Sequence, residues 1–248
     1  MKKWLVLLWL LLPLPVVVWH YGPGQQWLAR DKAQSAIRQA QKEEATKDWG
    51  KAETLYREAS SLTGNADRPL KTRLDVALAR MRYRQGGAVD AIDSIDRVLA
   101  GRDFHEQPGE LQREARELAG RIHYHAAWVM RLEGAQRDLW MEEAELARQN
   151  FRMLSEQSMA QGRNTYAQTQ QTNLETAVRL QRMSLTELMG RPLPEEGRNM
   201  AGQGLSEQMG KRRGQRGKGN QPGIGEGDDQ KEPAAGAGTH RFPGGPGS

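Results

Sequence analysis

Residues 47–63, KDWGKAETLYREASSLT, constrain this chain most. Read as a helix opening at Asp48, they set Trp49, Ala52, Leu55, Tyr56, Ala59 and Leu62 on one side. Those steps follow the 3.6-residue period of an apolar helical stripe. Ala52 and Ala59 admit a neighbouring helix at close range, and Trp49 and Tyr56 fill the space beside it. A single helix cannot cover its own stripe, so a second must fold back onto it. Residues 33–46 supply that helix, with Ala40 as a small contact residue.

A related pattern recurs in residues 73–99, RLDVALARMRYRQGGAVDAIDSIDRVL. Here a helical stretch meets Gly86-Gly87 and resumes with Ala91, Ile95 and Val98. Ala52, Tyr56 and Ala59 share the four-then-three spacing of Ala91, Ile95 and Val98, and the two sets lie 39 residues apart. That period falls in the range of helical-pair arrays. On these residues, with Ala40 and Ala79 at the small position of the first helix, the segments resemble tetratricopeptide repeats. The match covers about a quarter to a third of the chain and departs from the family pattern. No proline closes either repeat, and an insertion around residues 65–72 stretches the period beyond the family's usual length of about 34. The resemblance implies an all-α fold of stacked helical hairpins, a right-handed α-solenoid.

Two such units are expected over residues 27–101. Residues 102–190 read as a divergent third pair plus a capping helix. Its first helix carries Leu111, Ala115, Leu118, Ile122, Ala126 and Val129, and its second Trp140, Ala144, Ala147, Phe151 and Leu154. A last amphipathic helix over residues 164–189 would cap the stack. The 37% hydrophobic content and three Phe suit such an array, which needs no large central core.

The chain opens on Lys2 and Lys3, followed by the uncharged run WLVLLWLLLPLPVVVW at residues 4–19. Sixteen helical residues span about 24 Å, short of the roughly 30 Å hydrocarbon core. As a cleaved signal, the run ends badly, because Trp19, His20 and Tyr21 are bulky where small residues are needed. As an uncleaved anchor, Trp19 and Tyr21 suit the membrane interface. Residues 1–21 are therefore read as a signal-anchor that touches the membrane through residues 4–21. The expected location is the inner membrane, single-pass, with the N-terminus inside and the repeats outside the cytoplasm. An exported protein freed by signal cleavage is the alternative. Residues 22–26 read as a hinge around Gly22-Pro23-Gly24.

Arg73, Arg80 and Arg84 are spaced seven and four apart, with Tyr83 beside them. In tetratricopeptide proteins the first helices of successive pairs line a concave groove. The resemblance thus implies a partner-binding groove formed by Gln34, Ile37, Gln41, Glu44, Arg73, Arg80, Tyr83 and Arg84. Such a face would take an acidic peptide or a C-terminal carboxylate. The plainer reading is a solvated basic face balanced by Asp90, Asp93 and Asp96, since charged faces usually just solvate a helix.

Residues 191–248 change character. Residues 197–248 hold 15 of the 27 glycines and few large apolar residues, so the tail is expected to stay disordered. Within it Lys211, Arg212, Arg213, Arg216 and Lys218 form a basic patch able to contact a polyanion. The plainer reading is a soluble spacer, because aromatic interleaving is missing.

Reaction chemistry is hard to find. The absence of cysteine removes disulfides, thiolate metal sites and cysteine nucleophiles. His123 and His125 are two apart, on different helix faces, so they cannot share a metal. Residues 204–211 imitate a phosphate loop with the wrong spacing and Arg212 in place of Ser or Thr. Glu142 and Glu143 read as surface. No cofactor or metal is expected. The chain reads as a non-catalytic interaction scaffold of a bacterial cell envelope. Its partner is a protein or peptide in the groove. The alternative is a nucleic-acid-binding or regulatory subunit acting through the basic tail.

Overall fold

The computed structural model describes residues 23–63 and 67–218. The expected membrane segment at residues 1–21 and the tail beyond residue 218 lie outside the described residues. Among the described residues no helix is long and apolar enough to cross a membrane, and no strand occurs. The protein is all-helical, and its helices stack in chain order.

Helix α1 (Pro23–Ala45) already contains most of the expected hinge. Proline suits the first helical position, where its missing N–H leaves no bond unmade and its φ is preset. Ala33, Ala36 and Ala40 are buried. They belong to the same apolar cluster as Ala52, Tyr56 and Ala59 of α2 (Trp49–Thr63). The tight turn between them is closed by Lys47 in the left-handed region, φ 63°.

Helix α3 (Arg68–Arg84) opens with Asp67, whose carboxylate accepts from the Leu70 N–H at 3.1 Å. It is a shared wall. Leu74, Ala77, Leu78 and Met81 face the first apolar cluster, whereas Val76, Ala79 and Tyr83 join a second, larger one. Gly86, at φ 89°, turns the chain into α4 (Ala88–Leu99). There Ala91, Ile92 and Ile95 are fully buried. After a 3-10 turn at Phe104–Glu106, α5 (Gly109–Leu132) runs antiparallel to α6 (Arg137–Ala160). All six stripe residues of α5 and all five of α6 are buried. Gly120 has a packing role, since a Cβ there would stand 2.6 Å from a Phe151 ring carbon.

The expected single helix over residues 164–189 is broken. Helix α7 (Asn164–Arg182) ends at Met183, which is extended, and α8 (Leu185–Met189) starts afresh. The break is held from both sides. The Arg131 guanidinium donates to the Leu180 and Met183 carbonyls, while the Ser184 hydroxyl accepts from the Glu187 N–H at 3.1 Å.

The disorder expected across residues 191–248 is corrected over its first part. A 3-10 segment at Glu195–Met200 lies against α3 and α5, and α9 (Leu205–Lys218) lies against α4, α5 and α6. Met200, Leu205 and Met209 are buried there. A few apolar side chains order a glycine-rich segment because other helices provide their seats.

Candidate partner-binding groove

A groove of about 530 Å³ runs between α1 and α3 and is closed by Glu114 of α5. Gln34, Ile37 and Gln41 line one wall, and Arg73, Leu74 and Arg80 line the other. Five of the eight groove residues expected from sequence are thus brought together.

Arg80 is the structural centre of this groove. Its Nε lies 2.8 Å from Glu44 Oε1 and its Nη2 3.2 Å from Glu44 Oε2. Its Nη1 lies 2.7 Å from Glu114 Oε1. Burial, the largest single influence, disfavours the guanidinium charge, but the Glu44 hydrogen bonds and the charges of Glu44 and Glu114 together outweigh it and raise the Arg80 pKa. The Tyr56 hydroxyl donates to Glu44 Oε2 at 2.9 Å, and burial together with that carboxylate pushes Tyr56 up to about 12. Glu44 is therefore committed to holding Arg80 and Tyr56.

Arg73 differs. It stands exposed on the same wall, with no ion-pair partner among the described residues. Arg30 at the rim is held only loosely by Asp67, at 3.8 Å across exposed side chains. Exposed pairs of this kind contribute little, so both guanidinium groups are open to an incoming anion.

Two expected groove residues lie elsewhere. Tyr83 is buried against α5, where its hydroxyl meets His125 Nδ1. Arg84 lies 2.9 Å from Glu196 and over the Trp49 ring. The seven-and-four spacing could not reveal that α3 has neighbours on both sides. The expected balance of the arginines by Asp90, Asp93 and Asp96 is also corrected. Glu44 and Glu114 take Arg80, while Asp93 and Asp96 take Arg212.

A buried ionic network in the second cluster was invisible in the sequence. His123 Nδ1 lies 2.5 Å from Glu143 Oε2, and its Nε2 lies 3.1 Å from Asp96 Oδ1. Burial opposes the imidazolium, yet the two carboxylates prevail and raise His123 to about 9. Glu143, read from sequence as surface, is 5% exposed. The carboxylates sit on opposite nitrogens and do not converge. Among the described residues no group of three or more such side chains could hold a metal ion. His125 has other partners, and burial pushes it down to about 4. Its Nδ1 is neutral at ordinary pH and accepts from the Tyr83 hydroxyl, whose own pKa burial raises.

Three of the five basic residues assigned to polyanion contact already have partners. Lys211 pairs with Glu207 at 2.6 Å. Arg212, only 12% exposed, pairs with Asp93 and Asp96. Arg213 lies 2.7 Å from Asp138. Arg216 and Lys218 lie in the last turns of α9. The phosphate-loop imitation is likewise filled from within. Glu133 accepts from the N–H of Leu205 at 3.2 Å and of Ser206 at 2.7 Å, so a carboxylate of the chain itself takes up the first amides of α9.

No family model, curated protein or solved structure matches the chain. The groove's own chemistry therefore defines what it can take. It offers two accessible guanidinium groups, three amide or aliphatic side chains from α1 and an apolar floor from Leu74 and Ala77. Guanidinium groups placed in this way can receive an anionic oxygen through charge-assisted hydrogen bonds.

Proposed function

We propose that this chain is a non-catalytic interaction scaffold of the tetratricopeptide type, held at a bacterial cell envelope, whose α1–α3 groove captures an acidic peptide. The observation that carries this reading is Arg73, exposed on the groove wall and lacking an ion-pair partner among the described residues. A guanidinium so placed next to Gln34 and Gln41 can receive a carboxylate bidentately at little reorganisation cost. Arg80, already forked between Glu44 and Glu114, shapes the groove and leaves recognition to Arg73 and Arg30. The recurring helical pair supports the repeat assignment. The apolar run at residues 4–19 supports tethering or export, and Lys2 and Lys3 before it favour an N-terminus inside and helices outside the cytoplasm.

The test is fluorescence anisotropy on the full chain in detergent, with labelled peptides ending in Asp-Glu and the same peptides amidated and neutral. The acidic peptides should bind and the neutral ones should not. Arg73→Glu should weaken binding about tenfold to a hundredfold, the effect of losing a charge-assisted contact. Equal affinity in the Arg73→Glu variant sinks the proposal.

A further inference from the structure

Helix α9 is a poor helix by its own composition. Its sequence LSEQMGKRRGQRGK contains Gly210, Gly214 and Gly217, each of which costs about 1 kcal/mol relative to Ala. It enters through Gly202 and Gly204, both at positive φ, with open space where a Cβ would stand. What orders α9 is its seat. Glu133 accepts from the N–H groups of Leu205 and Ser206. Leu205 and Met209, one turn apart, are buried. One turn further on, Arg212 meets Asp93 and Asp96, and the adjacent Arg213 lies 2.7 Å from Asp138 and 3.9 Å from Glu142. The seat is thus acidic at both ends and apolar between.

We propose that this seat on α4, α5 and α6 is a docking site for a basic amphipathic helix. Its recognition pattern is apolar residues at i and i+4 with arginines at i+7 and i+8, and α9 is its exchangeable intrachain occupant. The match between seat and occupant extends over backbone amides, apolar side chains and two guanidinium groups, which is the helix-in-groove mode with charge setting the register. Exchange follows from the weak helix and the unpacked glycine tether. A helix that is unstable alone leaves its seat by local opening, and a partner helix with the same pattern competes for the vacancy. The seat and the α1–α3 groove share no residue, so each can fail its test without affecting the other.

The experiment uses the full chain and a fluorescein-labelled peptide of residues 204–218. Arg212→Glu with Arg213→Glu in the chain weakens the intrachain occupant and frees the seat. The wild-type peptide should then bind about tenfold more tightly than it binds the unaltered chain, because the competent fraction has risen. A peptide carrying both charge reversals should not bind. Asp138→Asn, at an exposed carboxylate, should weaken peptide binding about threefold or more without altering the fold, and Asp93→Asn with it should abolish binding. Three results would overturn the proposal: no peptide binding to the charge-reversed chain, equal binding of the charge-reversed peptide, or affinity unmoved by Asp93→Asn with Asp138→Asn. Hydrogen exchange adds a reading that needs no substitution. Amides of α9 should exchange faster than those of α5, and equal protection contradicts exchangeability.

Discussion

On one side of α3 lie ten buried residues, six of them alanine, drawn from α1, α2 and α3. On the other lie Phe104, Trp128, Trp140 and Phe151, together with His123 sealed between two carboxylates. The first region is a seam, stabilised by how closely two backbones approach. The second is a conventional core of large side chains with an ionic network inside it. A seam of alanines offers little apolar area to lose but has no space for anything larger. A core of large side chains is hurt by truncation, and its network by the loss of any one member. Neighbouring parts of one helical stack can therefore share a wall and respond to opposite kinds of change.

The largest expected effect is in the second region. His123→Ala leaves Glu143 buried without its cation, while Asp96 keeps Arg212, and stranding a buried carboxylate in this way costs about 3–5 kcal/mol. Urea unfolding of the full chain should show it. Hydrogen exchange should place the loss in α5 and α6, with α1 and α2 spared.

Acid should act on the same region. The folded state holds His125 neutral down to about 4, whereas the unfolded chain takes up the proton near its ordinary value of 6.5. The unfolded state thus binds more protons between those values, and stability falls as pH drops through that window, by up to the order of 3 kcal/mol. His123 works at the other end. Its raised pKa adds stability that is fully present below about 6.5 and is lost as pH rises through about 9. Melting temperature against pH should fall at both limits, and His125→Gln should flatten the acid limb.

Overpacking comes next and separates the regions directly. Gly120→Ala drives a Cβ into the Phe151 ring, and Ala52→Leu forces the α1–α2 seam apart. Each should cost about 1–3 kcal/mol. Exchange should accelerate in α5 and α6 for the first substitution and in α1 and α2 for the second. Matching patterns would mean that the two clusters open as one unit. The smallest expected effect is at the start of the shared wall. Asp67→Ala removes the cap on the Leu70 N–H and should cost about 1 kcal/mol, read as a small shift in the urea midpoint.

The stripes were legible because each is local. Ala52, Tyr56 and Ala59, the six positions of α5 and the five of α6 are defined by spacing within one helix, and all of them are buried. What the sequence hid depends on partners far along the chain. Glu143 is adjacent to the exposed Glu142 and looks equivalent, yet it meets His123, twenty residues away. Tyr83 sits three residues after Arg80 and turns into a different cluster, because α3 is covered on both sides. Residues 195–213 looked unable to order because composition counts only what a segment can bury within itself. The spacing of Leu205, Met209 and Arg212 was the faint signal available, and three glycines obscured it. Gln34, Ile37, Gln41, Arg73 and Arg80 share one cavity because their two helices pack together, whereas Tyr83 and Arg84 meet α5 and Glu196, partners that spacing within α3 does not encode.

Arg80 joins carboxylates that are 36 and 34 positions away, on α1 and α5. Glu44 approaches from the alanine seam and Glu114 from the helix that carries the ionic network. An anion taken up by Arg73 and Arg30 would leave this planar fork in place, so the groove keeps one width whether it is empty or filled. One side chain with five N–H bonds thereby ties α1 to α5 across the wall they share and holds the two halves of the stack in register.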